Sequence, residues 1–221
     1  MKKQLITATL LLACAAGAFA IWEYEEGPDG RAVAIAPDGR DYRGADGRIV
    51  SVPKGWDKAR GADGRMIAVP PEGDDERGKD GRLVPVPEGW SFKEGTDGRV
   101  VAVPPGGTTT SSSDNRLVAV PEGWTYEIGT DGRAAAIPPD GISAKGPDER
   151  IIAVPHGWTY HIGEDKRAVA IPPEGEYVEG RDNHVAPLPP DDFDLTNYLM
   201  VYCIMEAQSE TAEEEEEEEE E

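Results

Sequence analysis

Asp97-Gly98-Arg99-Val100-Val101-Ala102-Val103-Pro104-Pro105 is the clearest copy of a seventeen-residue unit that occurs ten times in the chain. Every copy starts with aspartate, and no insertion or deletion separates one copy from the next. Strict spacing of this kind is typical of repeat proteins, in which each unit packs against its neighbours rather than around a core of its own. The ten aspartates are Asp29, Asp46, Asp63, Asp80, Asp97, Asp114, Asp131, Asp148, Asp165 and Asp182.

Each unit predicts a turn between two strands. Glycine follows the aspartate in six units, and Asn115, Glu149, Lys166 and Asn183 replace it in the other four. Glycine adopts positive φ without steric cost, and an aspartate carboxylate accepts a hydrogen bond from the backbone two residues later, so Gly-x-Asp-Gly predicts a turn. The apolar segment that follows predicts a strand, which proline ends because it cannot donate to a sheet.

The expected hairpin register follows from a four-residue loop, Gly95 to Gly98. This loop pairs Phe92 with Val101 and Trp90 with Val103, which places aromatic and β-branched side chains on one face. The equivalent pairs in the first copy are Trp22 with Ile35 and Tyr24 with Val33.

Alternate units differ, so the full period is 34 residues. Trp22, Trp56, Trp90, Trp124 and Trp158 recur at this spacing, and the units between them carry Pro-Pro-x-Gly or a close variant. The sequence therefore predicts an all-β fold of tandem antiparallel β-hairpin repeats that form a solenoid or a curled meander. A five-bladed β-propeller is the alternative; it is less favoured because every connection is short.

The ends of the chain differ from the repeats. Residues 1–20 match a secretory signal peptide, with Lys2 and Lys3 before an apolar stretch and Ala18-Phe-Ala20 at the cleavage site. Cys14 is an alternative site for a lipid anchor, because Leu11-Leu-Ala-Cys14 resembles a bacterial lipobox. We expect export from a bacterial cytoplasm to the periplasm or the exterior.

Four segments are expected in all: the signal peptide, the repeat domain at 22–191, a capping segment at 192–205 and an acidic tail at 206–221. The capping segment includes the apolar run Tyr198-Leu-Met-Val-Tyr-Cys-Ile-Met205, which is too short to cross a bilayer as a helix. Nine consecutive glutamates end the tail, and their mutual repulsion predicts disorder.

The net charge of -22 argues against nucleic acid and anionic lipid as partners, because both would repel so acidic a chain. We expect a protein or polysaccharide of the cell envelope as the partner, with no transmembrane span in the mature chain.

The five tryptophans are the candidate ligand-binding residues. They would form either a row of stacking platforms for sugar rings or, with the aromatic residues two positions later, the core of the hairpin stack; the register favours the core. The turn aspartates have a sufficient local role, so no metal site is expected at them. His156, His161 and His184 have no partners at metal-ligand spacing and are interpreted as surface residues. No cofactor or catalytic residue is predicted.

Three functional hypotheses follow. The first is a secreted, non-enzymatic repeat scaffold that acts in interaction or envelope structure. The second is a glycan-binding module that uses the tryptophan row. The third is an exported hydrolase whose site is concealed among the many carboxylates.

Overall fold

The computed structural model describes residues 22–113 and 115–190, and this part of the chain consists of ten β-hairpins. Each hairpin is a separate two-stranded antiparallel sheet. Hairpin 1 pairs β1 with β2, hairpin 2 pairs β3 with β4, and so on to hairpin 10, which pairs β19 with β20. The strands are β1 Glu23–Glu26, β2 Ala32–Ile35, β3 Arg40–Arg43, β4 Ile49–Val52, β5 Asp57–Arg60, β6 Met66–Val69, β7 Asp74–Arg77, β8 Leu83–Val86, β9 Ser91–Glu94, β10 Val100–Val103, β11 Thr108–Ser111, β12 Leu117–Val120, β13 Thr125–Ile128, β14 Ala134–Ile137, β15 Ile142–Lys145, β16 Ile151–Val154, β17 Thr159–Ile162, β18 Ala168–Ile171, β19 Glu176–Glu179 and β20 Val185–Leu188.

The prediction of an all-β chain of tandem antiparallel hairpins is therefore confirmed. Within the described residues no sheet has more than two strands, so no sheet closes into a barrel or runs on as a solenoid. The four-stranded blades that define a propeller are not formed there either.

Side-chain packing between even-numbered strands joins neighbouring hairpins. β2 contacts β4, β4 contacts β6, and the series continues to β20, which contacts β2. The even-numbered strands are apolar except for Ser51, whose hydroxyl oxygen accepts a hydrogen bond from the Ala36 N–H at 3.1 Å. The buried apolar residues lie on these strands, apart from Ala36, Ala144 and the prolines that follow strands, such as Pro53 and Pro172. The array of hairpins thus curls until hairpin 10 meets hairpin 1, with the even-numbered strands as the packed layer and the odd-numbered strands as the outer layer.

Backbone hydrogen bonds between successive turns reinforce this packing and also close the ring. In hairpins 2, 3, 4 and 6 the N–H before the turn aspartate donates to the carbonyl of the following unit's turn glycine, as from Ala45 to Gly64 at 2.7 Å. The same bond joins hairpin 10 to hairpin 1, from the Arg181 N–H to the Gly30 carbonyl at 2.8 Å. The Arg181 side chain adds an ion pair with Glu26 and a hydrogen bond to the Gly27 carbonyl. We call this contact between hairpins 10 and 1 the seam.

The register within each hairpin differs from the expected one by one residue. Phe92 faces Ala102 rather than Val101, and Ser91, not Trp90, faces Val103. In hairpin 1, Tyr24 faces Ala34 and Glu23 faces Ile35. The loop has five residues rather than four, because the Gly95 N–H donates to the Arg99 carbonyl at 2.8 Å and thereby draws Arg99 into the loop.

The second turn of each unit explains the 34-residue period. Trp90 N–H donates to the Pro87 carbonyl at 3.0 Å, and Gly73 N–H donates to the Pro70 carbonyl at 3.0 Å, so tryptophan and glycine alternate at one structural position. In the Pro-x-Gly-Trp turn, positive φ falls on glycine, as at Gly89. In the Pro-Pro-x-Gly turn, positive φ falls on the residue before the glycine, as at Glu72. A Cβ added to the glycine itself, Gly73, would lie 2.9 Å from the Val86 carbonyl oxygen. Only glycine fits this second turn without a shift.

Substituting Gly180 tests whether the ring is closed. A Cβ at Gly180 would lie 2.4 Å from the Gly30 carbonyl oxygen and 2.8 Å from the Ala32 nitrogen, both across the seam. We expect Gly180→Ala to destabilise the fold by about 1–3 kcal/mol, the usual cost of overpacking. Urea unfolding of the full chain measures the effect.

Gly27→Ala is the matched control. Gly27 occupies the same position in its own unit, and an added Cβ there meets chiefly its own Asp29 side chain, with the neighbouring Gly47 oxygen at 3.7 Å. A loss of stability no greater for Gly180→Ala than for Gly27→Ala would show that the seam is open in solution.

Candidate binding surface

The outer layer carries every large apolar side chain that is exposed in the described residues. The fraction exposed is 57% for Tyr24 and 49% for Tyr126, and it reaches 60% for Ile142. The full set is Tyr24, Phe92, Tyr126, Ile128, Ile142, Tyr160, Ile162 and Tyr177. All eight lie on odd-numbered strands.

These side chains are concentrated on one part of the ring. All of them except Phe92 lie on hairpins 7 to 10 and on hairpin 1, which are consecutive because the seam joins hairpin 10 to hairpin 1. We call this surface, the exposed apolar side chains of hairpins 7 to 10 and 1, the apolar arc. His161 and Tyr177 stack within it, with ring centroids 4.0 Å apart, and this contact ties hairpin 9 to hairpin 10.

The outer strands of hairpins 2 to 4 have a different character. β3, β5 and β7 read Arg-Asp-Tyr-Arg, Asp-Lys-Ala-Arg and Asp-Asp-Glu-Arg. Lys58 lies over the Tyr42 ring, with its Nζ atom 4.0 Å from the centroid. The charged strands of hairpins 2 to 4 and the apolar arc thus occupy different parts of the outer layer, on a frame that is nearly the same in every unit.

The five candidate tryptophans are all half-buried. Trp124 packs against a core cluster of Val118, Val120, Ala134 and Ala136, on the even-numbered strands of hairpins 6 and 7. The expectation that the aromatic residues two positions later share this core is wrong: Tyr24, Phe92, Tyr126 and Tyr160 are exposed. The one-residue change in register accounts for the difference, because it places each of these rings opposite an alanine of the even strand.

A shallow groove separates the outer strands of hairpins 5 and 6. It is lined by Phe92 together with Ser91, Lys93, Thr108 and Thr109, and it reaches down to Val103 and Gly107. Lys93 Nζ donates to the Thr109 hydroxyl at 2.7 Å across the groove. An exposed ring surrounded by hydroxyl groups suits a sugar better than an apolar segment of protein.

The turn aspartates are structural, as the sequence predicts. Asp97 Oδ1 accepts a hydrogen bond from the Arg99 N–H at 3.1 Å, and the equivalent bond recurs around the ring. The other carboxylate oxygen pairs with arginines. Arg99 Nε, for example, lies 3.7 Å from Asp97 and 3.8 Å from Asp80 of the preceding unit. We call this alternating series of turn carboxylates and arginines the ionic belt.

The ionic belt also crosses the seam, since Arg31 Nε lies 3.5 Å from Asp182. His184 occupies the arginine position of the last unit, and its Nδ1 lies 3.2 Å from Asp165 Oδ2. His184 is therefore a half-buried member of the belt rather than a surface residue.

Two aspartates of the belt have pKa values that depart from the ordinary value in opposite directions. Burial raises the pKa of Asp80, and the nearby Asp97 and Asp63 carboxylates raise it further, against the attraction of Arg99. Burial also acts to raise the pKa of Asp165, but hydrogen bonds from His184 and from the Arg167 N–H outweigh it, so this pKa is lowered. Asp80 and Asp165 hold the same turn position in different units, so substitutions at the two positions can be compared directly.

The contrast predicts different effects of Asp165→Asn and Asp80→Asn on stability. A lowered pKa means that ionised Asp165 stabilises the fold above the ordinary carboxyl pKa of about 3.9, and that this contribution is lost as the pH falls through the lowered value. A raised pKa means that the contribution of Asp80 is present below about 3.9 and lost as the pH rises through the raised value. At pH 7, Asp165→Asn should therefore be the more destabilising.

Urea unfolding of both variants from pH 7 down to pH 3 measures this difference, which should shrink as the pH falls. Asparagine keeps a carbonyl oxygen for the turn hydrogen bond, so the comparison isolates charge. Equal losses of stability at pH 7 would contradict the opposite directions given for the pKa values of Asp80 and Asp165.

Within the described residues, no group of three or more His, Cys, Asp and Glu side chains is placed to hold a metal ion. The same residues include no helix long and apolar enough to cross a membrane.

Compared with known proteins, the chain matches no family model, no curated protein and no solved structure. The class of protein is therefore defined by the fold alone, a closed ring of β-hairpin repeats.

Proposed function

We propose that this protein is an exported, non-enzymatic interaction scaffold that binds a protein of the bacterial cell envelope through the apolar arc. The observation that carries the proposal is the exposure of Tyr24, Tyr126, Ile128, Ile142, Tyr160, Ile162 and Tyr177 on consecutive hairpins. Contiguous exposed apolar surface on a folded chain commonly marks a site of interaction.

The distribution of sequence variation around the ring supports a scaffold. The turn aspartate, the arginine and the apolar even strand recur from unit to unit, so they serve the frame. The outer strands vary from Asp-Asp-Glu-Arg in β7 to Thr-Tyr-Glu-Ile in β13. A constant frame with a variable outer face presents different side chains at each hairpin without altering the fold.

Export rests on the signal-peptide pattern of residues 1–20, which lie outside the described residues, as do the lipid-anchor candidate Cys14, the capping segment 192–205 and the acidic tail. An envelope partner is the natural counterpart of an exported scaffold. Aromatic side chains provide large contact area at low entropic cost, which suits Tyr126 and its neighbours to a protein interface.

Substitution in hairpin 7 tests the proposal. We expect the full chain to co-sediment with isolated bacterial envelopes, and we expect the double variant Tyr126→Ser, Ile128→Ser to bind at least about tenfold more weakly, since loss of a central contact typically costs more than about 1.4 kcal/mol. Protease treatment of the envelopes should abolish binding, because the proposed partner is a protein.

Asp75→Ser, Arg77→Ser is the matched control, because it alters the equivalent positions of the outer strand of hairpin 4, outside the apolar arc, and should bind as the unaltered chain does. Unchanged binding by the hairpin 7 variant, or no binding by the unaltered chain, would contradict the proposal. Thermal unfolding of both variants confirms that each retains the fold.

The groove beside Phe92 carries a second candidate function, binding of a glycan. Its lining of one exposed ring and several hydroxyl groups favours this function, whereas the half-buried tryptophans offer only part of their surface. In this case the ligand would contact Phe92 and lie close to Trp90, which precedes β9.

Quenching of tryptophan fluorescence by acrylamide distinguishes the two functions. If a glycan binds, envelope polysaccharides should shift or protect the emission of the full chain but not that of Phe92→Ser. The control is Phe92→Tyr, which keeps the ring and should keep the response. If polysaccharides leave the tryptophan emission and its quenching in the unaltered chain unchanged, the groove does not bind a glycan.

A further inference from the structure

We propose that the protein bound by the apolar arc presents a basic segment to the seam, with lysine or arginine side chains lying over Tyr24 and Tyr177 and pairing with the glutamates beside them. The inference rests on the proposed function, because it names the chemistry of the same partner at one end of the arc. We call the exposed side chains of β19 and β1, on the two sides of the seam, the seam face.

The charge of the seam face favours a basic partner. β1 reads Glu-Tyr-Glu-Glu and β19 reads Glu-Tyr-Val-Glu, so the two strands carry five glutamates and no basic residue. No other pair of neighbouring outer strands in the described ring has so large an excess of acidic residues. Arg181 pairs with Glu26, which leaves the other glutamates of the face to attract positive charge from a partner.

The electrostatics of Glu25 agree with this excess of negative charge. Burial raises the pKa of Glu25, and the Asp41 carboxylate of β3 raises it further, against the attraction of Arg43. The arginine nearby therefore does not fully offset the negative charge, and a cation bound at the face would relieve it.

The chain itself shows how a cation fits an outer-strand ring. Lys58, the second residue of β5, lies over the ring of Tyr42, the third residue of β3, with its Nζ atom 4.0 Å from the centroid. Lys93, the third residue of β9, likewise reaches Thr109, the second residue of β11. The third residue of one outer strand thus faces the second residue of the next.

At the seam the two facing positions are held by Val178 of β19 and Tyr24 of β1, neither of which is basic. Tyr177 stacks with His161 of β17, yet Tyr24 and Tyr177 both remain exposed. A lysine or arginine of the partner can therefore occupy, over these rings, the place that Lys58 holds over its own ring.

Rings and carboxylates together select a basic segment over a purely apolar one. The aliphatic stem of a lysine or arginine packs on a ring while its charged end reaches a carboxylate, so one side chain uses both features of the face. Charge pairs at the rim of an interface act mainly on the rate of association and on the choice of partner. Tyr126 and Ile128 on hairpin 7 supply the apolar contacts to the same partner.

A short peptide of alternating lysine and glycine tests the seam face directly. NMR of the isotope-labelled full chain should show larger amide shifts in β1 and β19 than in β7, which is acidic but has no ring. Tyr24→Leu with Tyr177→Leu should bind the peptide at least about threefold more weakly, because the contacts between cation and ring are lost. Phe92→Leu is the control, since it removes a ring at the same strand position outside the arc and should leave the affinity unchanged.

Shifts in β7 as large as those in β1 and β19 would overturn the proposal, because they would show attraction to negative charge alone. Equal affinity of the tyrosine variant and Phe92→Leu would overturn it as well.

Co-sedimentation with bacterial envelopes tests the same face against the natural partner. The seam variant neutralises three exposed glutamates, Glu23→Gln, Glu25→Gln and Glu176→Gln. The control makes the same change of charge in β7, with Asp74→Asn, Asp75→Asn and Glu76→Gln. We expect the seam variant to bind about tenfold more weakly, since each exposed pair contributes up to about 1 kcal/mol, and the control to bind as the unaltered chain does. The difference should shrink in about 1 M salt, which screens exposed charges.

The outcomes separate this inference from the proposed function. Unchanged binding by the seam variant, while the hairpin 7 variant still binds weakly, would overturn the basic segment and leave the proposed function standing. Equal losses by the seam variant and its control would also overturn the basic segment, because overall charge would then explain them. No binding by the unaltered chain would contradict the proposed function and, with it, the assignment of the seam face to an envelope protein. Thermal unfolding of each variant confirms that the fold is retained.

Discussion

The turn aspartate is the group on which the rest of the ring depends, because its two oxygens act at different levels of structure. One oxygen accepts the N–H two residues later and so fixes the loop that joins the strands of a hairpin, as from Arg99 to Asp97. The other faces arginines of its own and the following unit, as Asp80 faces Arg82 and Arg99. Exposed ion pairs contribute little singly, about 0–1 kcal/mol, but here each carboxylate is also held in place by its turn. One residue type therefore sets both the hairpin and its spacing from the next.

Positive φ at the residue after the aspartate completes the turn. Residues other than glycine adopt this conformation in four units. Gly30 and its equivalents have this conformation, and so do the four replacements, with φ of 67° at Asn115, 72° at Glu149, 69° at Lys166 and 66° at Asn183. Asparagine tolerates the left-handed region, whereas Glu149 and Lys166 adopt it at a cost. The surrounding hydrogen bonds impose the turn even where the local sequence does not favour it. The repeat is thus maintained by its neighbours as well as by its own residues.

Much of this fold is predictable from the sequence, and the failures have identifiable causes. Period, turns, strand positions and hairpin pairing all follow from Asp, Gly and Pro at fixed spacing. The register was wrong by one residue because a loop of four residues and a loop of five differ only in whether Arg99 bonds across the turn to Gly95. That error led to the wrong expectation that Phe92 and Tyr24 are part of the core, since it placed them opposite valine instead of alanine. His184 was missed as a belt residue because its partner, Asp165, belongs to the preceding unit.

Ring closure is the feature that no single unit encodes, because it depends on contacts between hairpin 10 and hairpin 1. Arg181 stands where the other units have Pro, Ala, Lys, Thr, Ser or Glu, and its pairing with Glu26 exists only because hairpin 10 meets hairpin 1. Closure removes the two open faces that an array of hairpins would otherwise expose. The face of hairpin 10 that an open array would expose is covered by hairpin 1. Closure also brings hairpin 1, with its exposed Tyr24, next to hairpin 10, with its exposed Tyr177, and so makes the apolar arc continuous across the seam.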